Sequence, residues 1–172
     1  MIPMASVRRD APQLRRRERD VALPETRCDD NGPTSPLAFI IDDDPAICRI
    51  LAMLLADFGI EVRTFHTAKP ALEAFAGPHP QIIFLDIALA GSDAVHVIEG
   101  LRDTKFAGTI QLITGGNALL VDVVERIGAR HGFAFLPALQ KPFRREAIRK
   151  AIASLGLAAS AETSTGMSRV SG

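Results

Sequence analysis

Three observations predict an α/β fold built on a doubly wound parallel sheet. Short apolar runs of strand length alternate along the chain with segments of helical periodicity. One such run, Gln81-Ile-Ile-Phe-Leu-Asp86, is apolar from Ile82 to Leu85, as a strand covered on both faces must be. Carboxylates, a hydroxyl and an ammonium follow these runs at their carboxyl ends, the edge where open α/β sheets hold their ligands.

The first strand is Leu37-Ala-Phe-Ile-Ile41, and it runs straight into Asp42-Asp43-Asp44-Pro45. Asp44 is a natural N-cap and Pro45 suits the first helical position, so a helix begins at once. Ile47, Ile50, Leu51, Leu54, Leu55 and Phe58 repeat on one face of that helix, and Gly59 stops it. Ile60 to Phe65 alternates as a second strand, after which Thr67 is placed to cap a short helix with Ala71, Leu72 and Phe75 inward. The third strand, Gln81 to Asp86, is bounded by Gly77-Pro78-His79-Pro80 and by Ala90-Gly91-Ser92. A third helix is predicted from about Ser92 to Asp103, with Val95, Ile98 and Leu101 on one side. Thr109 to Ile113 forms a fourth strand ending on Thr114-Gly115-Gly116. Asn117 caps a fourth helix carrying Leu120, Val123, Val124 and Ile127, which Gly128 or Gly132 ends. Phe133 to Leu139 is the fifth strand, leading to Gln140-Lys141-Pro142-Phe143, and the last helix uses Ile148, Ala151, Ile152 and Leu155. Five strands alternating with five helices place helices on both faces of the sheet.

Outside residues 37–156 the composition changes. Residues 1–36 mix Arg8, Arg9, Arg15, Arg16, Arg17 and Arg19 with acids and with Pro3, Pro12, Pro24, Pro33 and Pro36, the composition of a disordered arm. Residues 157–172 are rich in Ser, Ala and Gly and read as a flexible tail. The 20 basic and 20 acidic side chains cancel, so no overall field draws the chain to nucleic acid or to an anionic membrane. No apolar run approaches the roughly 20 residues of a membrane-spanning helix, and Met1 to Arg9 lacks an apolar leader core. A cytoplasmic protein is expected, with Cys28 and Cys48 as reduced thiols.

The predicted topology collects its chemistry on one rim. Asp42 and Asp43 follow the first strand, Asp86 the third, Thr114 the fourth and Lys141 the fifth. Converging carboxylates repel one another and raise each other's proton affinity unless a cation intervenes. Mg²⁺ suits such an oxygen-only set. A carboxylate held beside that ion can attack a phosphoryl group and form an acyl phosphate. Asp86 is then the nucleophile, Lys141 the partner of the phosphoryl oxygens and Thr114 a hydroxyl donor to one of them.

Over about residues 37–156 the chain resembles the receiver domain of two-component response regulators. The likeness rests on Phe39-Ile-Ile-Asp-Asp-Asp-Pro45, Ile83-Phe-Leu-Asp86, Ile113-Thr114-Gly115 and Lys141-Pro142-Phe143, in family order and at roughly family spacing. It implies a flavodoxin-like (CheY-like) sheet of order 2-1-3-4-5 and phosphorylation of Asp86 by a phosphohistidine on a sensor histidine kinase or histidine phosphotransfer protein. It also implies Mg²⁺ on Asp43, Asp86 and the backbone carbonyl of Ala88, with Asp42 acting through water, and a cis Lys141–Pro142 peptide. Such a chain catalyses only its own phosphorylation and dephosphorylation.

Some positions depart from the family pattern. Ala90 and Ala94 stand where the loop after the acceptor usually has Pro and Gly, and Ala138, three before Lys141, stands where receivers often place Tyr or Phe. Ala88 and Gly116 are small where bulk tends to shield the acyl phosphate, so an open, readily hydrolysed site is expected. A haloacid-dehalogenase-type phosphatase would need a second Asp where this chain has Ala88. The expected output is that of a stand-alone regulator acting on a downstream protein through its own surface, with a homodimer through the fourth-to-fifth-helix face as one form. The alternative is a degenerate receiver that binds partners without phosphorylation.

Overall fold

The computed structural model describes residues 35–89 and 94–157. Residues 1–34 of the arm, the tail beyond Leu157 and the Ala90–Asp93 stretch, with the predicted start of the third helix at Ser92, lie outside them. In chain order the strands are β1 (Leu37–Ile41), β2 (Glu61–Phe65), β3 (Ile82–Asp86), β4 (Thr109–Thr114) and β5 (Ala134–Gln140). The helices are α1 (Pro45–Ala56), α2 (Ala68–Glu73) with a 3₁₀ turn over Ala74–Ala76, α3 (Ala94–Leu101), α4 (Ala118–Arg130) and α5 (Arg145–Ser154). The strands pair in parallel in the order β2-β1-β3-β4-β5. This is the expected doubly wound, flavodoxin-like arrangement.

Two apolar layers flank the sheet. Ile40, Ile82 and Phe84 pack with Leu51 and Leu55 of α1 and Ile148 and Ile152 of α5. On the other face Phe39, Ile83 and Leu85 pack with Ala71 of α2, Ile98 and Leu101 of α3 and Val124 of α4. Every residue of β1 and of β3 is buried, which explains why both read as unbroken apolar runs.

The capping residues behave as their types dictate. Asp44 accepts from the Ala46 N–H at 2.8 Å, and Asn117 accepts from the Leu120 N–H at 3.1 Å. Thr67 occupies the cap position of α2, but its side chain makes no capping bond. The buried faces are narrower than the apolar patterns suggested. Ile50 and Val123 are 48% and 47% exposed, because the contact line of α1 runs through Cys48, Leu51 and Leu55 and that of α4 through Val121, Val124 and Gly128. In α3 the same shift puts Ala94 and Val97 inward beside Ile98 and Leu101 and leaves Val95 half-buried.

Gly128 does not end α4. It lies inside the helix, where an added Cβ would sit 2.3 Å from Phe135 Cζ, so the ring of β5 demands a glycine there. Gly132, with a φ of +82°, follows the helix and takes the left-handed turn. The largest departure from the predicted elements is in β5 itself. Its pairing with β4 runs Thr109↔Ala134, Ile110↔Phe135, Gln111↔Leu136 and then Ile113↔Leu139, Thr114↔Gln140. Two steps along β4 are matched by three along β5, which is a β-bulge around Pro137. Among the described residues, no helix is long and apolar enough to cross a membrane.

Candidate functional site

β1 delivers Asp42 to the carboxyl rim in a fully buried position. Its backbone is held on both sides: the N–H donates to the Phe65 carbonyl at 3.1 Å, and the carbonyl accepts from Cys48 Sγ at 3.3 Å. His66 Nδ1 lies 3.0 Å from the same carbonyl oxygen. The side chain is equally committed, with Oδ1 accepting from the Asp44 N–H at 2.9 Å and Oδ2 from Lys141 Nζ at 2.8 Å. β3 delivers Asp86, also buried, whose Oδ1 accepts from the Ala88 N–H at 3.2 Å and Oδ2 from Lys141 Nζ at 3.0 Å. Asp43 is exposed, and one oxygen from each of Asp42, Asp43 and Asp86 falls within 4.8 Å of the others.

A single ammonium therefore bridges two buried carboxylates that arrive on different strands. Burial of Asp42 raises its carboxyl above the usual aspartate range, and the nearby Asp86 charge pushes the same way. The hydrogen bonds from Lys141 and the Asp44 N–H oppose that rise without cancelling it. Burial works against the Lys141 charge, yet hydrogen bonds to Asp42 and Asp86 lift it above the ordinary lysine value. Burial, followed by the Asp42 and Asp44 charges, pushes the Cys48 thiol up to about 11, so it stays protonated beside the site.

Thr114 closes β4. Its Oγ1 accepts from the Gly116 N–H at 3.0 Å and the Asn117 N–H at 3.1 Å, which leaves the hydroxyl hydrogen to donate elsewhere. Its carbonyl takes the Lys141 N–H at 2.8 Å, tying the end of β5 to the end of β4. The Lys141–Pro142 peptide is cis. Ala88 and Gly116 are both exposed, and the nearest atom to a Cβ placed on Gly116 would be Gln140 Nε2 at 3.8 Å.

The residues picked out from the sequence thus share one rim: the three carboxylates and Lys141 in direct contact or within a few ångströms, and Thr114 on the adjoining strand end. His66 and Cys48, which brace Asp42 from behind, were not picked out. A signal for His66 did exist, since it follows β2 at the same carboxyl edge that supplied the other groups. Cys48 carried none, reading as one more apolar residue of α1.

This fold and rim define a receiver, and the chain belongs to the response regulator receiver domain family, whose model matches residues 38–153. The transcriptional regulatory protein KdpE of Mycobacterium tuberculosis is 37% identical over 76 residues, 44% of this chain and 34% of KdpE. The nitrogen assimilation regulatory protein NtrX of Azorhizobium caulinodans is 31% identical over 110 residues, 62% of this chain and 23% of NtrX. The chain therefore spans about a third or less of the length of these relatives. Among solved structures, a CheY-like receiver domain protein from Methanospirillum hungatei superposes with a TM-score of 0.61 at 20% identity, covering 72% of this chain and 94% of that one. Full-length FixJ from B. japonicum gives 0.60 at 27% identity, covering 71% and 58%.

Proposed function

We propose that Asp86 accepts a phosphoryl group from a phosphohistidine on a sensor histidine kinase or histidine phosphotransfer protein, in a Mg²⁺-dependent reaction. The observation that carries this reading is the bridge from Lys141 Nζ to Asp42 and Asp86, with Asp43 alongside. One ammonium pairs with two carboxylates there and a third lies within 4.8 Å of both, so the cluster carries excess negative charge that a divalent cation offsets. Asp43, Asp86 and the Ala88 backbone carbonyl, with Asp42 through water, are the groups that would hold Mg²⁺. Bound there, the ion neutralises charge on the transferred phosphoryl oxygens.

A carboxylate oxygen of Asp86 attacks phosphorus, the P–N bond to the donor imidazole breaks, and its electron pair returns to the ring nitrogen. Lys141 already stands at Asp86 Oδ2 and pairs with the incoming oxygens as that contact opens. The Thr114 hydroxyl, its oxygen already accepting from two N–H groups, donates to one of them. Small residues at 88 and 116 leave a path for water, which supports a short-lived acyl phosphate. The exposed Leu119 and Val123 of α4 support a protein on that face, either a downstream target or a second copy of this chain. We place the exchange in the cytoplasm as part of the same reading.

The test is intact mass after incubation with acetyl phosphate, with Mg²⁺ or with chelator, for the wild type and Asp86→Asn. One phosphoryl adduct on the wild type, dependent on Mg²⁺ and missing from Asp86→Asn, is expected. A folded wild type that gains no adduct would refute the reading and leave a phosphorylation-independent interaction module.

A further inference from the structure

β5 has two pairings open to it. In the structure Leu136 and Leu139 lie in the layer under α1 and α5, while Phe135 and Ala138 lie in the layer under α4. A regular strand alternates sides at every residue, so Leu136 and Leu139 share a side only because the chain makes an extra step between them, at Pro137. In the uninterrupted pairing Ile113 would face Ala138 and Thr114 would face Leu139. The rest of β5 would then turn over, since a one-residue slip moves every side chain to the opposite face. Lys141 would lose the place where its N–H meets the Thr114 carbonyl and its ammonium meets Asp42 and Asp86.

Burial favours the observed pairing at one residue, Leu139, which is buried in the layer under α1 and α5, and does little at the others. β5 is an edge strand, paired only with β4, and Ala134, Pro137 and Gln140 are exposed while Phe135, Leu136 and Ala138 are only half-buried. One polar contact adds to that choice. Gln111 is 1% exposed in the middle of β4, between Ile110 and Leu112, and its side-chain amide donates to the Pro137 carbonyl at the bulge. A buried amide without a partner bears the full loss of its hydration, so a glutamine in this core favours the pairing that satisfies it. Pro137 is compatible with the bulge but does not select it, because proline is tolerated on an edge strand as well.

We propose that Gln111 is a positioning residue for Lys141: by holding the Pro137 carbonyl it selects the bulged pairing of β5 that brings the ammonium onto Asp42 and Asp86. The consequence for phosphoryl transfer rests on the function proposed above; the consequence for the place of Lys141 does not.

Three proteins test it: the wild type, Gln111→Leu, and Gln111→Leu with Pro137 deleted. The deletion removes the extra residue, so Leu136, Ala138 and Leu139 alternate as a regular strand and Lys141 keeps its partners with no bulge to hold. Adduct formation with acetyl phosphate and Mg²⁺ is expected to fall roughly tenfold in Gln111→Leu, as a displaced catalytic group requires, and to return to within about twofold of wild type in the double variant. In parallel, an amine-reactive ester with peptide mapping reads the exposure of Lys141 against the solvent-facing Lys69, Lys105 and Lys150. Lys141 is expected to label several-fold faster in Gln111→Leu and at the wild-type rate in the double variant. Circular dichroism confirms that each is folded. Wild-type labelling and phosphorylation in folded Gln111→Leu would overturn the proposal, as would a double variant no better than the single one. If no protein gains an adduct, the phosphoryl-transfer reading fails while the labelling comparison still decides the register.

Discussion

β3 and β5 each bring one residue of the candidate site to the same rim, and they do so by opposite means. β3 is central, buried over its whole length and paired in unbroken register with β1 and β4, so Asp86 is placed by a large apolar contact. β5 is an edge strand, exposed at three of its seven residues and interrupted by a bulge, so Lys141 is placed by a few polar contacts. A central strand tolerates the loss of any single hydrogen bond because burial holds it. An edge strand holds its functional residue only as firmly as its register.

The sharpest test of that difference is paired truncation. Phe84→Ala in β3 is expected to destabilise by about 3–5 kcal/mol, because a fully buried ring leaves a cavity between β3 and α1. Leu136→Ala in β5 is expected to cost about 1–2 kcal/mol, because that side chain is half solvated already. Urea titrations followed by far-ultraviolet circular dichroism read both, since the chain has neither Trp nor Tyr. Equal losses would break the contrast.

Removing the residue that joins the two strands comes next. Lys141→Met leaves Asp42 buried beside Asp86 without its ammonium and is expected to cost about 1–3 kcal/mol at neutral pH in chelator. The sign of its pH dependence follows from Asp42. Its carboxyl is raised in the folded protein, so its contribution is whole below the unfolded aspartate value and is lost as pH rises through the folded value. Loss of Lys141 raises that carboxyl further, so the deficit should be largest at neutral pH and vanish on acidification below the ordinary aspartate range. A deficit that persists at acid pH would mean that Lys141 contributes by packing.

A smaller effect is expected at the mouth of the site. Ala88→Met is expected to slow loss of the phosphoryl group from Asp86 several-fold by covering the water path, while changing stability by less than about 0.5 kcal/mol. Least visible of all, Cys48 should resist a thiol reagent until the chain unfolds, since it is buried and protonated behind Asp42.

Much of the fold could be read from neighbouring residues. The runs Leu37–Ile41 and Ile82–Leu85 are apolar because helices cover both faces of those strands, and no other element accommodates such a run followed directly by acids and a turn. Asp44-Pro45 and Asn117 start their helices by local chemistry alone. The candidate site was legible for the same reason, since Asp86 and Thr114 close their strands, Asp42, Asp43 and Lys141 follow theirs within two residues, and parallel strands end together. Less legible was how wide each helix's buried stripe would be. Ile50 and Val123 fit the apolar period, but the neighbouring elements meet α1 and α4 along a narrower line.

The sequence by itself therefore determined the parallel α/β architecture, the Asp44 and Asn117 caps and the identity of the rim, because each depends on residues within a few positions of one another. Tertiary structure alone decided the bulge in β5, the brace of His66 and Cys48 behind Asp42, and the turn of α4 over Phe135 that requires Gly128. The physical reason is the range of the contacts. Gln111 and Pro137 lie 26 positions apart, and Lys141 and Asp42 lie 99 apart. A choice between two pairings of one strand is settled only when such distant groups meet.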